Sequence, residues 1–352
     1  MTSTGKWMIY GATGYTGGLI AKKAIELGEK PTLAGRNAEK VSALAAELGL
    51  PWAAFSVSDV DAVEAALEHH DLVLSVAGPF SATADTMMNA CIKTGTHYLD
   101  VTGEIAVFEL AASMDERAKG ASVTLLPGVG FDVVPSDCLA AHTAARANAP
   151  NALVIAIKGL GGPSRGTAKT AVESLGGGTM VRKDGAIISR RAGSLQRSFD
   201  TGVGDEPYMG VSWGDVSTAY YSTDIPDIEV YFPAEGPIKT MTAMSRFLGP
   251  VMGSGPVQSF LKKQIDKMPA GPTDDERTRD TSILLAEVTD SEGEVVRSLL
   301  ETPNGYTLTA ESAVLSALKI LKGEGDPGFQ TPSLAFGADF VLDLVGCKVT
   351  DL

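Results

Sequence analysis

The chain has 352 residues, 44% of them hydrophobic and 20% charged, with a formal net charge of -14 at pH 7. At about 150 residues per domain this length suits two globular domains, and the negative balance argues against a protein that mainly grips phosphate backbones through clustered Lys and Arg. No apolar run reaches the roughly 18 residues of a membrane span, and the opening MTSTGKWMIYGATG lacks the basic start and apolar centre of a signal peptide, so a soluble cytoplasmic protein is expected.

In chain order, short apolar runs alternate with stretches of helical periodicity. Strands are expected at 6–11, 31–36, 52–57, 71–78, 97–101 and 121–128, and helices at 15–28, 37–48, 59–69, 82–95 and 104–119. The strands are nearly continuously apolar, as strands covered on both faces must be, and every connection is long enough for a crossover helix. This is the pattern of a Rossmann-type, doubly wound parallel sheet.

The texture changes after Gly130. A helix is expected at 134–149 and a strand at 152–160, followed by a glycine-rich stretch, 161–179. Further strands are expected at 184–190, 216–222, 226–232, 281–289 and 294–302, the last two joined by a hairpin turn at DSEGE. Helices at 236–248 and 255–268, a polar connector at 270–280, and helices at 306–322 and 333–346 complete the chain. Hairpin connections imply an α+β domain with a mostly antiparallel sheet. The expected division is 1–132 for the first domain and 133–332 for the second, with the terminal helical segment of 333–352 returning to the first.

Cys91, Cys138 and Cys347 are widely spaced and odd in number, which indicates reduced packing residues rather than a disulfide framework. His69, His70, His97 and His142 show no ligand spacing, and no metal is expected.

The segment Gly11-Ala12-Thr13-Gly14-Tyr15-Thr16-Gly17 follows the first strand and opens the first helix. In that context Gly11 permits a sharp turn, Gly14 lets the backbone approach a pyrophosphate, and Gly17 lets helix pack on sheet. Thr13, Tyr15 and Thr16 lie at the helix N-terminus, whose N–H groups favour an anion. The second strand ends Ala34-Gly35-Arg36-Asn37, without the acid that would take a ribose 2′-hydroxyl. Arg36 can grip a 2′-phosphate instead, so NADP(H) is the expected cofactor. The fourth strand ends at Ala77-Gly78-Pro79-Phe80, where Gly78 would let backbone lie against the cofactor, Pro79 would fix the turn, and Phe80 reads equally as a ring cover or a core residue.

GATGYTG, AGR, VAGPF, HYLDVTGE (97–104) and PGVGFDVVPSD (127–137) together resemble the saccharopine dehydrogenase-like oxidoreductases, in particular the trans-acting enoyl reductase branch. The likeness is dense over the N-terminal domain, continues at Gly166-Thr167, and fades beyond about residue 180. It implies a dinucleotide domain followed by an α+β domain that carries substrate and often the dimer contact, and hydride delivery to an activated double bond.

Catalytic candidates belong at the carboxyl ends of strands or between domains. Tyr98 and Asp100 share one face of the fifth strand, with Thr102 and Glu104 just beyond; Asp132, after the sixth, reads as a cofactor-ribose ligand or a turn residue. Arg165, beside Ser164 and Thr167 at a helix start, is a candidate anion-binding and catalytic residue. No tyrosine has a lysine four residues on, which excludes the short-chain dehydrogenase dyad. The expected function is an NADP-dependent oxidoreductase, a homodimer by resemblance, reducing a small or carrier-bound carbonyl, imine or enoyl substrate in an interdomain cleft. The alternatives are a non-catalytic NADP(H)-binding redox-sensing regulator, and accessory action at a membrane or on a carrier-bound lipid through the apolar stretches 237–253 and 256–268; those stretches read more readily as core or dimer helices.

Overall fold

The computed structural model describes residues 5–159, 161–173, 177–202, 204–235, 251 and 254–352. The chain forms two units, Met1–Val134 with Tyr306–Phe340, and Pro135–Gly305 with Val341–Leu352.

In the first unit, β1 (Trp7–Tyr10), β2 (Thr32–Gly35), β3 (Trp52–Ala54), β4 (Leu72–Ser75), β5 (His97–Asp100) and β6 (Thr124–Leu126) are joined by a short strand at Gly328–Phe329. The order is β3-β2-β1-β4-β5-β6-(Gly328–Phe329), parallel throughout. Every residue of β1 and β4 is buried, as their apolar runs require. Chain order reverses between β1 and β4, so the loops leaving these two strands flank the switch point at which open α/β sheets bind ligands.

The crossover helices are α1 (Tyr15–Glu26), α2 (Ala38–Leu48), α3 (Val60–Leu67), α4 (Ala84–Thr94), α5 (Ile105–Ser113) and α6 (Asp115–Gly120). The single helix expected at 104–119 is broken at Met114. One core joins Ile9, Leu74, Leu99 and Leu126 of the sheet to Ile20 and Ala24 of α1, Val41 of α2, and Ala313, Val314, Ala317 and Ile320 of the helix Gly305–Leu321. The helix Gly305–Leu321 therefore belongs with the first sheet, and the chain returns to the first unit over 306–340 rather than over the expected 333–352. Its apolar positions recur at helical spacing, but nothing local says which sheet they cover.

The second unit contains β7 (Pro150–Lys158), β8 (Thr179–Lys183), β9 (Ala186–Arg190), β10 (Gln196–Asp200), β11 (Asp205–Val211), β12 (Asp227–Pro233), β13 (Thr281–Asp290), β14 (Val295–Pro303) and a strand at Lys348–Asp351. The order is β10-β11-β12-β7-β13-β14-(Lys348–Asp351), with β8 beside β12 and β9 beside β8. Only the β7–β12 pair is parallel among these. The DSEGE turn closes β13 on β14, with Asp290 accepting hydrogen bonds from the N–H groups of Glu292 and Glu294, both 2.9 Å.

Several local expectations change. Residues 216–222 are not a strand: Asp215–Thr223 is helical, and its buried run Asp215–Ala219 shows tertiary packing overriding the β-forming Val, Thr and Tyr. The strand expected at 184–190 is half of the β8–β9 hairpin, which turns at Asp184 and Gly185, both at positive φ. The β10–β11 hairpin was unforeseen because its strands are polar and glycine-flanked. The connector at 270–280 contains a helix, Asp274–Arg279, closed by a capping box of Thr273 and Glu276. The helix expected at 333–346 is a short helix, Pro332–Phe336, and a 3₁₀ segment, Ala338–Asp343, interrupted by Gly337 at positive φ. The helix expected at 236–248 lies outside the described residues. Among the described residues no helix is long and apolar enough to cross a membrane.

Candidate functional site

The glycines after β1 answer to different constraints. At Gly11, φ is +89°, and a Cβ would lie 2.8 Å from the carbonyl carbon of Val76. At Gly17 a Cβ would lie 2.4 Å from the Gly11 oxygen. Both are therefore required by the protein's own packing. Gly14 is exposed, and a Cβ there would meet only the Gly11 oxygen, at 3.3 Å. No side chain caps α1 at Gly14, and its first turn holds no acidic residue. The helix start is thus neither covered nor neutralised from within by a carboxylate, which suits an approaching anion. Tyr15 packs edge-on against Tyr306, ring centroids 5.2 Å apart. Thr13 is exposed and Thr16 partly so.

Arg36 follows β2 on the surface, and no salt bridge ties it to another described residue. The neighbouring Asn37 caps α2 by accepting the Lys40 N–H at 2.9 Å, so the helix start beside Arg36 is closed by a neutral side chain.

After β4 the chain runs through Val76 and Ala77 to a cis Gly78–Pro79 bond and a 3₁₀ turn, Phe80–Ala82. Gly78 is exposed, and a Cβ there would make only ordinary contact, 3.5 Å, with the Phe80 ring. Here the protein's own atoms do not demand glycine. The Phe80 side chain is buried. Thr83 Oγ1 donates to the Ala77 carbonyl at 3.1 Å.

The end of β5 is a buried polar network. Tyr98 OH donates to Asp100 Oδ2 at 2.6 Å, while Asp100 Oδ1 accepts the N–H groups of Thr102 and Gly128, both at 2.9 Å. Both side chains are fully buried. Desolvation raises the Asp100 carboxyl to about 6, against the lowering effect of its hydrogen bonds, and burial also pushes the Tyr98 phenol up. The pair expected to be catalytic is brought together, but inside the unit, tying the end of β5 to the loop after β6.

Asp132 is placed differently. It is partly exposed, its carboxylate rests against Gly103, where a Cβ would come 2.9 Å from Oδ2, and desolvation raises it to about 6. No hydrogen bond joins its carboxylate to a described residue. Residues 103 and 132 follow neighbouring strands, a closeness that sequence spacing could not show.

In the second unit, Ser164 Oγ accepts the Thr167 N–H at 3.2 Å at the start of the helix Arg165–Glu173. The Arg165 N–H donates to the Ala270 carbonyl at 3.1 Å; Lys169, hydrogen-bonded to Asp266, and to a lesser degree the Arg165 guanidinium hold the Asp266 carboxyl below the usual carboxylate range. The candidate anion-binding arginine thus has an acidic residue nearby. Among the described residues, no cluster of three or more His, Cys, Asp or Glu is arranged as a metal site.

Comparison with known proteins extends this geometry. Residues 7–126 match the saccharopine dehydrogenase NADP binding domain. The trans-acting enoyl reductase of Mycobacterium leprae is 33% identical over 140 residues, covering 37% of this chain and 33% of the relative. The "Probable mitochondrial saccharopine dehydrogenase-like oxidoreductase" of Arabidopsis thaliana is 28% identical over 152 residues, covering 37% and 32%. The matched stretch thus spans about a third of the length of these relatives. Saccharopine dehydrogenase (L-Glu forming) from Saccharomyces cerevisiae has the same fold, with a TM-score of 0.65 at 12% identity over 99% of this chain and all, 100%, of that one. The residues present fit the dinucleotide: an exposed glycine in each of the two loops of the switch point, an α1 start that no side chain caps, and an arginine where an NAD site would carry an acid. The N-terminal part of the chain, residues 7–126, is therefore similar to the saccharopine dehydrogenase NADP binding domain.

Proposed function

We propose that the protein is an NADP-dependent oxidoreductase that reduces a carbonyl, imine or enoyl group. The observation that carries this reading is the pair of exposed loops at the switch point, with Gly14 at a helix start that no side chain caps and Gly78 with no steric need of its own to be glycine. Gly11 and Gly17 shape the first loop, Thr13, Tyr15 and Thr16 surround the helix start that takes the pyrophosphate, and Arg36 binds the 2′-phosphate. Ala77, Gly78 and Pro79 form the backbone surface toward the nicotinamide half, with Phe80 supporting it from inside.

Bound NADPH supplies the hydride, which leaves the protein the tasks of orientation and proton supply. Asp132 is the group we assign to the proton: partly accessible, without a hydrogen-bonded partner, and raised to about 6 by desolvation, it can hold a proton near neutral pH where an ordinary aspartate cannot. Tyr98 and Asp100 keep the strand ends in place. Arg165 is a site for an anionic group of the substrate. The names of the mycobacterial relatives favour a conjugated alkene, on a carrier or free, among the three acceptor types.

The test is NADPH oxidation with a panel of aldehydes, imines and enoyl thioesters. We expect saturable turnover with one class, and Arg36→Ala should lose it with NADPH by about ten-fold or more while leaving NADH little changed. Equal losses with the two cofactors would remove Arg36 from the phosphate site. Tight NADPH binding with no turnover on any acceptor would favour a redox-sensing regulator instead.

A further inference from the structure

Glu104 stands at the N-cap of α5, where an acid ordinarily serves its own helix, yet it makes no side-chain capping bond there. Its carboxylate turns to a segment 24 residues earlier: Oε1 accepts the Phe80 N–H and Oε2 the Ser81 N–H, both at 2.8 Å. These two N–H groups open the 3₁₀ turn that follows Gly78 and Pro79. Glu104 is held in its turn, because its N–H donates to Thr102 Oγ1 at 3.0 Å and the Thr102 N–H donates to the buried Asp100. A continuous path of hydrogen bonds thus joins the loops after β4, β5 and β6, from Phe80 and Ser81 through Glu104, Thr102 and Asp100 to Gly128.

We infer that Glu104 is a positioning residue for the cofactor, its two carboxylate oxygens fixing the Ala77–Pro79 backbone against which the nicotinamide half is held. This rests on the NADP reading above. The requirement is geometric: two adjacent N–H donors, each bonded to its own oxygen, need two acceptor atoms on one planar group, and the ionised carboxylate supplies both. An amide of the same size supplies one acceptor and opposes the second N–H with a donor. Arg36 follows β2, which lies on the other side of β1 from β4, so loss of the contact should spare the half of the dinucleotide that carries the 2′-phosphate.

The experiment compares binding of NADPH and of 2′,5′-ADP, which carries the 2′-phosphate and adenine without nicotinamide, to the full chain and to Glu104→Gln. Loss of a charge-assisted pair of hydrogen bonds should weaken NADPH binding by about ten-fold, with 2′,5′-ADP binding unchanged within about two-fold. The retained 2′,5′-ADP binding also shows that the variant is folded. Should Glu104→Gln fail to fold, Glu104→Asp, which keeps the charge but shortens the reach, is held to the same comparison. NADPH binding equal to that of the unaltered protein, or equal losses for both ligands, would overturn the assignment. Failure of the unaltered protein to bind either ligand would instead overturn the NADP reading on which it rests.

Discussion

In the role proposed for Asp132, the surroundings of a single residue would serve chemistry at the expense of stability. Its folded-state carboxyl is raised to about 6 by desolvation, above the roughly 3.9 of an unfolded aspartate. Between those values the folded protein holds a proton that the unfolded chain has released, so stability falls as pH rises through this window. Asp132→Asn removes the ionisation. It should therefore be more stable than the unaltered protein near pH 8, by on the order of 1 kcal/mol, with the gain vanishing near pH 4. Denaturant titrations at the two pH values measure this, and a variant less stable at pH 8 would show that the charge is welcome where it sits. The same substitution should lower turnover if Asp132 supplies the proton. Arg36 and the glycine loop were open to sequence reading because their meaning depends on neighbours within a few positions. The contact of Asp132 with Gly103, and that of Glu104 with Phe80 and Ser81, were not, since strand order alone brings these residues together.

The first βα element separates folding from binding within one seven-residue loop. A Cβ at Gly17 would press on the Gly11 oxygen at 2.4 Å and on the Ala12 Cα at 2.8 Å, backbone atoms that cannot swing aside. Gly17→Ala should thus push α1 from the sheet and cost about 1–3 kcal/mol in chemical denaturation. Gly14→Ala, meeting one oxygen at 3.3 Å, should cost less than Gly17→Ala on the same measurement while weakening NADPH binding. A reversal of the two stability effects would mean that the loop is arranged otherwise. Elements with strong periodicity, such as α1 and the strands β1 and β4, were readable because burial repeats along them. The helix Asp215–Thr223 was not, since a run of Val, Ser, Thr and Tyr has no stable preference until packing supplies one.

For the molecule as a whole, the discontinuity of the first unit has a practical consequence. Ala313, Val314, Ala317 and Ile320 close the core over Ile9, Leu74 and Leu99, the Phe131 N–H donates to Thr309 Oγ1 at 2.9 Å, and Ser312 Oγ donates to the Val129 carbonyl at 2.7 Å. A fragment of residues 1–134 should lack cooperative unfolding and bind a hydrophobic dye, because the part of the core that the helix Gly305–Leu321 closes stays uncovered. The same fragment joined by a short linker to residues 306–340 should unfold cooperatively and bind NADPH. Cooperative melting of the shorter fragment by circular dichroism would show that the helix is dispensable. By itself the sequence determined the parallel sheet of the first unit, its glycine loop and the choice of an arginine over an acid, because these rest on local periodicity and on short-range backbone geometry. Only the tertiary structure decided that the chain returns to the first unit at 306, that Tyr98 and Asp100 face inward, and that Glu104 braces the loop after β4. Those outcomes depend on which distant segments share a surface, and burial and hydrogen-bond pairing settle them only once the whole chain has packed.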